Sequence, residues 1–183
     1  MADGSKRYDN VAITLHWLVA LGVFVLIGLG WYMVDIPKGT PGRAAFYNLH
    51  KSIGVTVAMI VLIRVIWRWN HDPPPLPSGT ASWVVSAAKL NHNLMYALLV
   101  LMPIAGFLGS NFSKYGVKYF GLFQIGPLFA ENKTLYDLFQ GVHHAGSEVL
   151  VIAVVVHIAA AFKHLLIDKD GVFARILPGA RSG

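Results

Sequence analysis

Seven histidines lie in stretches of this chain otherwise apolar enough to sit inside a membrane. His16, His50, His92, His143, His144, His157 and His164 fall in runs almost free of charge, whereas His71 stands in a proline-rich segment. An ionisable side chain in hydrocarbon is costly unless it has a partner, so each of the seven is a candidate for chemistry. The chain has no cysteine. Disulfides, thiolate-held iron–sulfur clusters and covalent C-x-x-C-H haem attachment are thereby excluded, and imidazole is the one strong transition-metal ligand present in number.

Their intervals carry the next step. On an α-helix, positions 14 apart return to within about 40° of the same face and differ in height by about 21 Å. His143 and His157 are 14 apart, His164 lies seven beyond His157, and His144 points about 100° away from His143. The same interval takes His16 to Gly30, His50 to Arg64 and His92 to Gly106. Each run thus offers imidazole at one depth and, in three of the four, a glycine or an arginine at the other. A flat macrocycle held between helices asks for ligands from two directions, small residues where backbone comes close, and a cation to pair with a propionate.

Competing chemistries fit less well. Zinc wants three or four ligands on one point with carboxylates behind them, and Glu148 is essentially the only carboxylate deep in these runs. A proton channel would line its path with acids. A lone histidine in a membrane often only bonds a neighbouring helix, but histidines on four runs, in two layers, point to two bis-histidine haems. Spacing assigns His50 and His143 to one layer. For the other it leaves His16, His92 and His157 all open.

The elements that must position these groups follow from hydropathy. The chain is 55% hydrophobic and 13% charged, with mean hydropathy +0.55, against about 25% charged in a soluble domain. Val11–Val34 holds no charged residue in 24, and about 20 suffice to cross a bilayer. Further spans are expected at 44–69, 83–112 and 138–167, giving an all-α, four-helix transmembrane bundle as one membrane-embedded domain over 1–183. The first span is too long for a signal-peptide core and is read as retained.

The link at 70–82, with four of the nine prolines, reads as a stiff loop. The aromatic stretch 111–137 reads as an ordered interfacial cap, and Trp31, Tyr32, Trp67 and Trp69 as interfacial anchors. Lys6, Arg7, Arg64, Arg68, Lys89, Lys163, Lys169, Arg175 and Arg181 lie toward the side of both termini, against Lys38, Arg43, Lys51, Lys114, Lys118 and Lys133 on the other. This excess puts the termini in the cytoplasm of a multi-pass inner-membrane protein. No nucleic-acid motif is present, and the pI near 9.7 reflects membrane flanks.

The segments ITLHWLVA, YNLHKSIGV, RVIWRW, LNHNLMYALLVLMPIAG and HIAAAFKHLLIDKD resemble, in order and over almost the whole chain, the bacterial cytochrome b561 family. The resemblance implies a dihaem b-type cytochrome exchanging electrons with ubiquinone, in some members as a superoxide oxidase. It also extends to the cytochrome b subunits of hydrogenases and formate dehydrogenases. It implies His16 with His157 as ligands of the cytoplasmic-side haem and His50 with His143 of the outer one. Where the family has a single histidine, this chain has VHH, and helical phase prefers His143 over His144.

His92 and His164 are then left at inner depth without an iron. Quinone reduction consumes protons and needs hydrogen-bond donors, so both are expected at a quinone site, with Arg64 beside them. On the outer side six cations face Asp35, Glu131 and Asp137, a formal +3, and Lys51, next to His50, is expected to draw in superoxide. Two alternatives stand beside the superoxide:ubiquinone oxidoreductase. One is an electron-transfer subunit of a partner dehydrogenase; the other is a haem-free scaffold or transporter. A homo-oligomer is compatible with any of them.

Overall fold

The computed structural model describes residues 7–179; Lys6 and Arg181 lie outside them. Four long helices fill the chain, each long and apolar enough to cross a membrane. Helix α1, Asn10–Asp35, starts where the Asp9 side chain accepts from the Ala12 amide at 2.8 Å, the usual way of satisfying an orphan N–H at a helix start. Helix α2 is Arg43–Asn70 and α3 is Ser82–Phe112. Helix α4, Lys133–Lys163, begins five residues before the fourth apolar run, because Asn132 caps it through the Leu135 amide at 3.0 Å. It then loosens into a π turn, His164–Asp168.

The helices pack in chain order, α1 on α2, α2 on α3, and α3 on α4. Val19, Val23, Val57, Val61 and Leu150 form the buried centre, joining α1, α2 and α4. Outward faces are apolar and exposed, among them Leu21, Phe24, Leu62 and Ile152, as suits a solvent of lipid tails. With no hydrophobic force between helices in such a solvent, close approach has to come from small residues. At Gly22 an added Cβ would meet Val57 Cγ2 at 2.4 Å, and at Gly146 it would meet Met102 Sδ at 2.5 Å.

One end of the bundle is closed by a two-stranded antiparallel hairpin, β1 (Val117–Tyr119) with β2 (Phe123–Ile125). The sequence reading had a cap in this stretch. What it lacked was the hairpin and its anchorage on α2: Lys51 Nζ donates to the Gly116 carbonyl at 2.9 Å, the Phe120 amide to Ser52 Oγ at 2.8 Å, and Thr56 Oγ1 shares a bond with the Tyr119 hydroxyl at 3.0 Å. The other end is tied by the chain's tail. Arg7 donates to the Leu177 carbonyl at 2.7 Å, Trp17 to Ile176 at 2.8 Å, and Arg175 to Pro75 in the proline link at 2.5 Å. Trp67 is more than an interfacial anchor, since its indole N–H donates to Asp9 Oδ2 at 3.1 Å.

The tight helix contact yields a paired test. Gly22→Val should drive α1 from α2 and cost about 1–3 kcal/mol, the usual range for overpacking. Gly28→Ala, in the same helix with nothing within 4 Å of the new carbon, should leave the melting temperature of the detergent-solubilised protein unchanged or slightly raised.

Candidate functional site

The histidines meet in two layers. Toward the hairpin end, His50 on α2 faces His143 on α4 with ring centroids 6.1 Å apart and planes at 79°. Toward the other end, His16 on α1 faces His157 on α4 at 6.2 Å and 59°. Two imidazoles bound to one metal from opposite sides, each through a bond of about 2 Å, stand roughly 6 Å from ring centre to ring centre. Both separations fit a shared axial metal. His92 lies at 5.2 Å from His157, nearer than the roughly 6 Å of two rings sharing one metal, so the spacing that fits such a metal is the one between His157 and His16.

Local contacts set the outer pair. His143 Nδ1 lies 2.9 Å from the Met102 carbonyl; when it donates there, the ring is oriented and Nε2 is left unprotonated, the arrangement that metal-ligating histidines generally adopt. His50 Nδ1 is buried and finds no hydrogen-bond partner among the described residues, a cost that points to a missing ligand or donor. His144 turns outward, its side chain 81% exposed, 3.5 Å from Glu148. The structure therefore brings His143, and not its neighbour, to His50.

Two glycines of the 14-residue pattern lie against the outer imidazoles. A Cβ at Gly30 would lie 3.5 Å from His50 Cε1, and one at Gly106 would lie 3.1 Å from His143 Cε1 and Nδ1. They make room for the imidazoles themselves.

At the inner layer Arg64 does stand beside the histidines. Its Nη2 lies 3.2 Å from His16 Nδ1, its Nη1 3.5 Å from the Ala12 carbonyl, and its guanidinium carbon 5.8 Å from the Tyr96 ring centre. A guanidinium only donates, so this contact keeps the His16 proton on Nε2. Ligation through Nε2 requires Arg64 to release that bond and turn to another acceptor.

His164 stands apart from the imidazole layers, in the π turn. Its Nδ1 is 2.7 Å from Asp170 Oδ2 and 3.5 Å from Asp168 Oδ2. The three side chains lie close enough to bracket an ion, but Lys163 already pairs with Asp168 at 2.5 Å, and the group reads as an ion-pair cluster. Burial, the largest single influence, pushes the Asp170 carboxyl up; the Val172 amide, His164 and its own backbone N–H together outweigh this and hold it below the ordinary carboxylate range. Asp170 was missed in the sequence reading, although it ends the quoted HLLIDKD motif. Lys51 is half-buried against Gly116, so its ammonium is already engaged.

The prokaryotic cytochrome b561 family model matches residues 7–179. The chain belongs to that family. It is 33% identical over 173 residues to cytochrome b561 homolog 2 of Escherichia coli (strain K12), covering 94% of this chain and 92% of the relative. A probable superoxide oxidase of Yersinia pestis is 23% identical over 184 residues, with 96% and 98% covered. A probable Ni/Fe-hydrogenase B-type cytochrome subunit of Rhizobium leguminosarum bv. viciae is 22% identical over 234, with 98% and 93% covered. As a cytochrome b561, this is a multi-pass membrane protein whose cofactor is b-type haem and whose activity is oxidoreductase-type electron transfer.

The Asp170 contact makes a pH-dependent prediction. A carboxylate whose pKa is depressed on folding contributes stability that is complete above its unfolded pKa of about 3.9 and is lost as pH falls through the folded value. Asp170→Asn should therefore melt below wild type near pH 7, and the gap should close on acidification below about pH 4, read by thermal denaturation at each pH.

Proposed function

We propose that this cytochrome b561 carries two b-type haems and moves electrons from superoxide at its hairpin end to ubiquinone at the end where the described termini meet. The observation behind this reading is the pair of facing imidazoles at two depths, 6.1 and 6.2 Å between centroids. In it His50 and His143 hold the outer haem, and His16 and His157 the inner. The whole chain forms a single membrane domain in the inner membrane, with its termini in the cytoplasm. When bound, haem b supplies reversible one-electron transfer, and the protein supplies ligation, burial and orientation.

The chemistry balances simply. Two superoxide anions each give up one electron and leave as dioxygen, while one quinone takes two electrons and two protons to become quinol. On the outer side the cations Lys38, Arg43, Lys51, Lys114, Lys118 and Lys133 raise the local concentration of a small anion. Lys51, half-buried and bonded to Gly116, acts through this field rather than by contact. On the inner side His92 and His164 offer donors and titratable nitrogens to the quinone, with Asp170 orienting His164 at 2.7 Å. Arg64, once it leaves His16, is free to pair with a haem propionate or a quinone oxygen.

A second reading makes the protein the electron-transfer subunit of a partner dehydrogenase. It is favoured by the full-length likeness to hydrogenase cytochrome subunits and by the engagement of Lys51 in the hairpin. In that reading the outer cations meet a protein.

The pyridine haemochrome assay should give two haems per chain. His50→Ala or His143→Ala should leave one, His16→Ala or His157→Ala the other, and His144→Ala both; loss at His144 but not His143 overturns the outer assignment, and protein without haem overturns the function altogether.

Superoxide should reduce the purified protein fast, and several-fold more slowly as salt shortens the Debye length from about 30 Å at 0.01 M to about 10 Å at 0.1 M. Lys51→Met should lower the rate with haem retained, whereas Lys51→Arg should keep it. A slow, salt-indifferent reaction, with a dehydrogenase copurifying, replaces superoxide by the partner reading.

A further inference from the structure

One pair of ionisable side chains lies where the function just proposed has no use for it. His144 and Glu148 sit one turn apart on α4, with His144 Nε2 3.5 Å from Glu148 Oε1, and their side chains are 81% and 68% exposed. Glu148 follows His143 by five residues and precedes His157 by nine, so it lies about 8 Å inward of the outer imidazole layer and about 14 Å short of the inner one. That is membrane depth, on a face open to lipid. Intramembrane charges ordinarily face a bundle interior or a water-filled cavity and pair there; a single contact within their own helix leaves most of both groups to hydrocarbon.

The surroundings say what could cover them. Gly141 and Ala145, four apart, are exposed on the same stripe as His144 and Glu148, and a carbon added at Gly141 meets nothing within 4 Å. Small residues at that spacing let two helix backbones approach closely in lipid. Only Leu150 and Ala153 of α4 are buried, so the stripe is free along its length.

We propose that this stripe is a homodimer interface, in which α4 packs against α4 of a second copy about a two-fold axis along the membrane normal. A two-fold interface is isologous, so whatever residue i meets at j, j meets at i. About an axis along the membrane normal both copies present the same residues at the same depth, and the imidazole of one reaches the carboxylate of the other by slanting across about 6 Å of rise, as e and g side chains do between parallel helices. Around a crossing at Ala145, His144 of each copy reaches Glu148 of the other, and both polar groups gain a partner that lipid cannot offer. Of the proposed outer haem ligands, His143 points away from the centre of this stripe toward α2, which carries His50, so the interface steadies α4 where His143 meets His50 without touching either ring.

The chain has no cysteine, which makes cross-linking clean. Haem-loaded Ala145→Cys protein in dilute liposomes should oxidise to a covalent dimer. Leu21→Cys, 64% exposed on α1, should not. Adding Glu148→Leu to Ala145→Cys should cut cross-linking at least fivefold with the haem spectrum unchanged, and Gly141→Leu, which leaves the polar pair intact but holds the backbones apart, should cut it as well. Equal cross-linking at positions 145 and 21, indifference to both Glu148→Leu and Gly141→Leu, or a cross-link in native membranes to a different protein would each overturn the second-copy assignment. Haem content is read in every sample, so a failure here is distinct from a failure of the dihaem reading.

Discussion

Everything in this bundle is arranged around holding imidazole rings about 6 Å apart across helix interfaces, twice, at different depths in hydrocarbon. An imidazole placed there alone has a polar nitrogen with no water to satisfy it, and two placed there face to face have that problem doubled. A metal taken between them resolves both at once. Helix α4 carries one ring of each pair, His143 and His157, so its position sets both layers; α2 supplies the outer partner and α1 the inner. Packing between α3 and α4, tight enough at Gly146 to exclude a Cβ, puts the Met102 carbonyl within reach of His143. A backbone carbonyl on one helix thereby orients a side chain on the next.

The rest of the polar inventory is handled at the ends. Each end of a membrane bundle has helix termini and connections whose amides and carbonyls need partners, and here both ends are closed by the chain itself. At one end Ser52 accepts from the hairpin while Lys51 and Thr56 bond to it. At the other, Arg7, Trp17 and Arg175 bond to tail and loop carbonyls. These contacts hold α1 and α2 at fixed height relative to each other, and a ring pair spanning two helices is only as well defined as that height.

Much of this was legible in the sequence for one reason: hydropathy and helical period are local. Runs of about 20 apolar residues announce helices, and an interval of 14 announces two depths on one face, which is why His50, His143 and the outer level could be read together. What escaped depends on chain reversals. Asp170 meets His164 only because the helix loosens to a π turn and the chain folds back at Lys169, whose φ is +48°. The hairpin's grip on Lys51 needs three residues of register between strands, which no pattern in an aromatic loop discloses. Gly30 and Gly106 were found for their spacing, but that they lie against His50 and His143 was not, since spacing tells which residues share a level and not which atoms fill the room between them.

The two layers are not equivalent, and the difference bears on direction. The outer layer holds two facing histidines and two glycines, with Lys51 beside His50 already bonded to the hairpin. The inner layer holds three histidines and an arginine, and the His164–Asp170 pair lies seven residues further toward the termini. One-electron exchange with a small anion needs little from the protein beyond access and positive potential, whereas reducing a quinone needs two protons delivered to defined oxygens. Toward the bundle interior, groups able to carry protons gather at the inner end, where His92 and Arg64 stand beside the His16–His157 pair, whereas the outer pair His144 and Glu148 faces outward. In the proposed reading the inward-facing His92 and the His164–Asp170 pair make the inner end the quinone end, with either superoxide or a partner dehydrogenase on the outer side.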